Sequence, residues 1–440
     1  MLAAGASCSV TALPQDGSSI LLAPNGVLSP NVSWSADSSD AGSSLTSLEA
    51  SSERNVPIAQ HLFTADPSAH VFNDQLWVYT SHDRNEHECA TSGADCFNMT
   101  DYRSFSFLDA SSSARDEGVA LSLEDVPWAR RQMWAPDVVS DANGYHLFFP
   151  AKDAKDVFRI GHARADSPYG PFVADEQPLH GSLSIDPAVF VEDDGLATLY
   201  FGGLQGGQLE LVRDKAGGDA DAPLDPSRCA LAPLVAPLTR DKRSFSSAPR
   251  MLRILDADGD CLREDDEERR FFEGAWLHRL DSTYFLSYST GTTHRLVYAT
   301  SSSRFGPFTY RGLLLPPVAG WTTHHSIVQW RERWWLLHHD STLSGGDDYR
   351  RCVKAAELRY VSNNTILPVV HGKAADSYAQ GMALLKQETA KEAKRSAGKR
   401  GTANGSAMPR RGTSVPEPGE ERAGGGAAVL VAADDPRLVR

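Results

Sequence analysis

At 440 residues, 41% of them hydrophobic and 23% charged, the chain is long enough for a large core and has the balance of a soluble globular protein. A formal net charge of -14 excludes the broad basic face that a nucleic-acid partner requires. No apolar stretch approaches the roughly 18–20 residues that span a bilayer.

Residues 1–55 are rich in Ser, Ala and Asp with few aromatics, the composition of a poorly ordered leader. The opening MLAAGASCSV lacks a basic n-region and a continuous apolar run, so no secretory signal is legible in it. Aromatic and β-branched density rises at Val56 and holds to Val370. Within that span five segments share one grammar: a polar or ionisable residue, a short apolar run, a polar turn, then a second apolar run. They are DPSAHVFNDQLWVYTSHD opening at Asp66, DVVSDANGYHLFFPAKD at Asp137, DPAVFVEDDGLATLYFGG at Asp186, EGAWLHRLDSTYFLSYSTG at Glu273 and HHSIVQWRERWWLLHHDS at His324. The turns NDQ, SDANG, EDDG and LDS hold residues that β-turns favour. ARADSPYGPF at 163–172 and ATSSSRFGPF at 299–308 repeat the register.

Unequal spacing between units has visible causes in a loop around 84–132 and an insertion from about 213 to 268, rich in Asp, Pro and Arg. Short strands without helical periodicity, in such repeating units, predict an all-β, five-bladed β-propeller over 56–370. The innermost strand of each blade would then aim its opening residue at one axial site. After Val370, KQETAKEAKRSAGKRGTANGSAMPRRG and ERAGGGAA have the composition of a disordered tail over 371–440.

Asp66, Asp137, Asp186 and Glu273, gathered with a histidine pair, would raise one another's pKa, keeping some protonated and leaving others ionised. That division suits glycoside hydrolysis, in which one carboxylic acid protonates the leaving oxygen and one carboxylate activates water or attacks directly. The motifs TADPSAHVF, MWAPDVV, SIDPAVF, FFEGAWL and TTHHSIVQW, spread over about 57–370, resemble those of glycoside hydrolase family 43. These are five-bladed propeller enzymes that act on arabinose- and xylose-containing polysaccharides with inversion. The resemblance implies that Asp66 is the general base, Glu273 the general acid and Asp186 the residue that orients the acid and tunes its pKa. Inverting geometry places base and acid carboxyls about 6.5–9.5 Å apart. It gives Asp137 a supporting role at the substrate site. It makes Arg351, with Arg350 as its competitor, the contact to the terminal sugar. It also implies a Ca²⁺ ion, largely water-coordinated, held through His324. Trp134 and Trp128 offer faces for sugar stacking, with core packing as the alternative for each.

The forms MWAPDVV, FRIGHA and GWTTHHSIV are similar to those of β-xylosidases and α-L-arabinofuranosidases in that family. The implied activity is removal of terminal xylose or arabinofuranose from xylo-oligosaccharides or arabinoxylan. An arabinanase, a galactanase and an inactive sugar-binding propeller are the alternatives. Residues after Val370 are too polar and glycine-rich for the β-sandwich that accompanies the propeller in some members.

Six cysteines include two candidate pairs, Cys89 with Cys96 and Cys229 with Cys261, and four sequons begin at Asn31, Asn98, Asn363 and Asn404. Both features point outside the cell, against the missing signal. Asp256, Asp258, Asp260 and Glu267 imitate a calcium loop but lack its glycine. The run REDDEERR at 263–270 reads as a solvated insertion. His82, His87 and Cys89 lack a fourth zinc ligand.

Overall fold

The computed structural model describes residues 44–84, 93–213, 224–291 and 294–404, with backbone alone from 400. Among them, 21 strands form five sheets, each of four strands except one of five. Blade I contains β1 (Phe63–Phe72), β2 (Gln75–Asp83), β3 (Asp101–Phe107) and β4 (Arg115–Ser122). Blade II contains β5 (Asp137–Asp141), β6 (Gly144–Lys152), β7 (Phe158–Ala165) and β8 (Val173–Ala174). Blade III contains β9 (Ala188–Val191), β10 (Ala197–Phe201), β11 (Leu234–Pro237) and β12 (Arg250–Met251). Blade IV contains β13 (Ile254–Leu255), β14 (Phe271–Leu280), β15 (Thr283–Thr290), β16 (Leu296–Ser301) and β17 (Phe308–Leu315). Blade V contains β18 (His325–Trp330), β19 (Arg333–Asp340), β20 (Cys352–Ser362) and β21 (Thr365–Leu367).

Each blade is an antiparallel meander, except that β13 pairs parallel to β17 at the outer edge of blade IV. The inner strands β1, β5, β9, β14 and β18 neighbour one another in a ring. The five-bladed propeller read from the repeats is therefore the fold. The two Gly-Pro-Phe echoes hold matching places, between β7 and β8 and between β16 and β17, and both Gly-Pro bonds are cis.

Large apolar side chains alternate along the strands and meet between blades, Tyr79 and Phe149 between I and II and Trp335 with Phe105 between V and I. Each such side chain, buried, contributes roughly 1.5–3 kcal/mol, and a propeller has no other core. The ring closes without a shared strand. Instead β1 lies against blade V, and the amide of Thr64 donates to the carbonyl of Arg351.

The compositional boundary at Val56 lies inside folded structure. Helix α1 (Leu48–Arg54) starts at Ser47, whose hydroxyl accepts from the Ala50 amide, and buries Leu48 completely in the seam between blades I and V. Ser51 ties it down, donating to Val56 O and accepting from the Ala355 amide of β20. The first part of the expected tail is likewise ordered: Ala374–Asn404 is a 31-residue helix, α2. The insertion expected from about 213 to 268 instead supplies β11, β12 and β13, and a disulfide between Cys229 and Cys261 closes the stretch that carries them. Cys96 is disulfide-bonded too, while Cys89 and His87 lie outside the described residues. His82 pairs with Asp101 at 2.9 Å.

Candidate active site

Each candidate acid sits where its strand departs from regular pairing. In β1 the register slips between Ala65 and Ser68, so Asp66 and Pro67 bulge out, and Asp66 takes a left-handed backbone (φ 52°). Asp186 precedes β9 with φ 57°. Glu273 stands between two register shifts in β14. Bulges re-aim side chains, and left-handed backbone at a residue with a Cβ is costly enough to persist only where its surroundings enforce it. Gly274, at φ 65°, supplies the next enforcement: a Cβ there would lie 2.4 Å from His324 Cδ2.

The three carboxyls open on one pocket of about 40 Å³, which His324, Arg351, Trp134, Phe97, Met99, Ile185, Leu204, Gln205, Trp321 and Thr322 also line. Asp66 is buried. Its Oδ1 accepts from an Arg351 guanidinium nitrogen at 3.1 Å and its Oδ2 from the Ser81 hydroxyl at 2.6 Å. His339 Nδ1 lies 3.0 Å from the Asp66 amide and 3.2 Å from Oδ1, so either tautomer finds a partner. Burial opposes the charge of Asp66, but Arg351 and His339 outweigh it and hold its carboxyl well below the usual carboxylate range.

Asp186 and Glu273 go the other way. Burial, reinforced by the Asp66 charge, holds Asp186 well above its ordinary range; burial and then the charges of Asp186 and Asp66 do the same to Glu273. The two are linked through the backbone as well, because Asp186 Oδ2 accepts from the Gly274 amide at 3.0 Å. The pocket thus sets a carboxyl held low, Asp66, against a coupled pair held high, Asp186 and Glu273.

Arg351 is fixed by a residue that the sequence reading passed over. Asp83, at the end of β2, accepts from the Arg351 amide and Nε at 2.8 and 2.9 Å and from a terminal nitrogen at 2.8 Å. The guanidinium also lies over the Phe97 ring, 4.7 Å from its centre. Arg350 instead pairs with Asp347 at 2.8 Å and does not line the pocket. Trp134 lines it, its indole N–H donating to Phe97 O at 2.7 Å. Phe97 and Trp321 stack with ring centres 6.1 Å apart.

Two expected substrate contacts lie elsewhere. Asp137 does not line the pocket. It is fully buried, accepting from Ser68 and His70 of blade I at 2.5 and 2.6 Å and from the Val189 amide of blade III at 2.5 Å, a tie across three blades. Trp128 stacks on Phe149 in the interface of blades I and II, 5.9 Å between ring centres, and belongs to the core. The acidic decoy at 256–267 is not a calcium loop: Asp256 and Asp260 receive Lys399 of α2 at 2.7 and 2.6 Å.

His324 lines the pocket with Nδ1 unpartnered and 3.9 Å from Asp66 Oδ1. Calcium takes six to eight oxygen ligands, and among the described residues no group of three or more His, Cys, Asp or Glu side chains is placed to hold a metal. This donor set fits only a mostly hydrated ion attached through one imidazole. Among the described residues no helix is long and apolar enough to cross a membrane.

The model of the family described as glycosyl hydrolases family 43 matches residues 55–366. A xylosidase/arabinosidase of Humicola insolens is 50% identical over 321 residues, 71% of this chain and 98% of that protein. A xylosidase/arabinosidase of Bacteroides ovatus is 45% identical over 70% of this chain and 95% of its own length. Among solved structures, a family 43 β-xylosidase/α-arabinofuranosidase from a compost microbial metagenome, in complex with xylotriose and in a calcium-free form, superposes with a TM-score of 0.69 at 46% identity, covering 71% of this chain and 96% of that one.

Proposed function

The chain belongs to family 43 of the glycosyl hydrolases, and from that premise we propose that it releases terminal xylose or arabinofuranose from xylo-oligosaccharides or arabinoxylan with inversion at the anomeric carbon. The observation that carries this reading is the convergence of three carboxyls on one pocket, Asp66 held low by Arg351 and His339 and Asp186 and Glu273 held high by burial. In a single displacement Asp66 takes a proton from water as its oxygen bonds to the anomeric carbon. Glu273 gives its proton to the departing glycosidic oxygen. Asp186 orients Glu273 through the Gly274 amide, and Arg351 holds Asp66 while presenting donors to the sugar. A calcium ion, where bound, would attach through His324 and add positive field beside the carboxylates.

The pocket's shape supports action on chain ends. The blade I loop at Ala94 meets the blade III loop at Gly206 so closely that a Cβ on Gly206 would lie 2.3 Å from that of Ala94. A wall of that kind beside the carboxyls suits a site that takes a chain by its end. Incubation with p-nitrophenyl xyloside, p-nitrophenyl arabinofuranoside and sucrose, with the product anomer followed by NMR, tests the whole reading. Release of a pentose of inverted configuration is expected. No release from either pentoside would overturn the activity, and a retained anomer the mechanism. Glu273→Gln is expected to lose about 10²–10⁴-fold on substrates with poor leaving groups and far less on activated aryl glycosides. Equal losses on both would remove Glu273 from the acid role.

A further inference from the structure

Strand β14, which carries Glu273, is entered through Asp266–Arg270 and backed by Gly291, at the end of β15, and Arg295, before β16. The two segments are in contact: a Cβ on Gly291 would lie 2.5 Å from Glu267 O, and Phe271 pairs with Thr290. Helix α2, beyond the residues matched by the family model, lies across both. Its Glu388 accepts from Arg295 at 2.6 Å and its Glu392 from Arg269 at 2.6 Å. Lys391 reaches Glu268 at 2.6 Å, and Arg395 pairs with the same carboxylate. The half-buried stripe of α2 is Leu384, Leu385, Glu388, Glu392, Arg395 and Ser396. An apolar face usually docks a helix; past Leu385 this one is ionic. Arg295 and Arg269 are only 9% and 13% exposed, so these pairs are less screened than surface ones.

We propose that α2 is an ionic clasp that holds the lead-in of β14 against Gly291 and Arg295 and so positions the Glu273 carboxyl in the pocket. The proposal rests on Glu273 being the acid. Arg295 and Glu388 act as positioning residues, and Glu268 and Arg269, within the run REDDEERR, receive the clasp.

A charge exchange in the full-length protein tests it: Arg295→Glu, Glu388→Arg and the double variant, each assayed on xylobiose and on p-nitrophenyl xyloside. Each single variant is expected to lower kcat on xylobiose about 10-fold, as a small misplacement of the acid does, with KM unchanged and the activated substrate spared. The double variant is expected to recover most of the loss. Equal loss on both substrates, no loss on either, or a double variant no better than the worse single variant overturns the clasp. Should Arg295→Glu fail to fold, Glu388→Gln, altered only on the helix, is read by the same leaving-group split. Glu273→Gln separates the two ideas. If it shows no leaving-group selectivity the acid assignment falls. If it does and the exchange variants do not, the clasp alone falls.

Discussion

Three carboxyl groups sharing one buried pocket with a single fixed guanidinium raise the cost of one another's charge. Arg351 is committed by Asp83 and Asp66, so burial and mutual repulsion raise the pKa values of the Asp186–Glu273 pair. That arrangement has a stability consequence of definite sign. A carboxyl whose folded pKa is raised binds more protons folded than unfolded, so stability falls as pH rises from the unfolded value near 4, by up to about 1.4 kcal/mol per pH unit. Glu273→Gln should therefore melt higher than the wild type at pH 7, with the gap closing as pH falls toward about 4. Calorimetry across that range checks it, and a gap independent of pH would contradict the assignment. The carboxyls themselves were legible because each opens a repeating unit. Their left-handed backbone and bulges were not, since an Asp-Pro or Phe-Glu pair does not announce them. Asp83 and His339 were missed, although both close the second apolar run of their units, in TSHD and LLHHDS, beside the residues that open them.

At the scale of elements, the inner strands are held together by polar ties along the channel as well as by blade packing. Asp137 is the best example, with blade I donors on one oxygen and the Val189 amide of blade III on the other. Asparagine would replace one of those oxygens by a donor facing a donor. Asp137→Asn should cost about 3 kcal/mol of stability while leaving KM for a pentoside within about twofold, because the side chain does not reach the pocket. Denaturant midpoints and steady-state kinetics measured together decide it. A raised KM at unchanged stability would return Asp137 to the substrate. Five blades could be read from period and turn chemistry, since strand alternation is written in every unit. The short β13, paired out of sequence order with β17, has no such signal. Helix α2 was hidden for a physical reason: its residues are good helix formers, but with charges replacing an apolar stripe the composition matches that of a solvated tail.

For the whole molecule, the ring seam and the active site are the same place. Blades I and V share no strand, and several of the polar bonds that join them meet at Arg351: its carbonyl accepts from Thr64, its amide and guanidinium donate to Asp83, and a terminal nitrogen donates to Asp66. Closing the ring therefore brings Asp66 and Arg351 together, and opening it would part them. The depressed carboxyl of Asp66 adds stability that is present above the unfolded pKa near 4 and is lost as pH falls through the lower folded value, so the seam should hold into acid. Asp83 does not line the pocket, which makes it the cleanest probe of the seam. Asp83→Asn removes one of the two carboxylates that pair with the buried Arg351 guanidinium and should cost about 3 kcal/mol. Hydrogen exchange should then quicken together in β1, β20 and α1, while the amides of blades II and III keep their protection. Uniform quickening across all five blades would show that the ring opens only by global unfolding, and would dissociate seam from site.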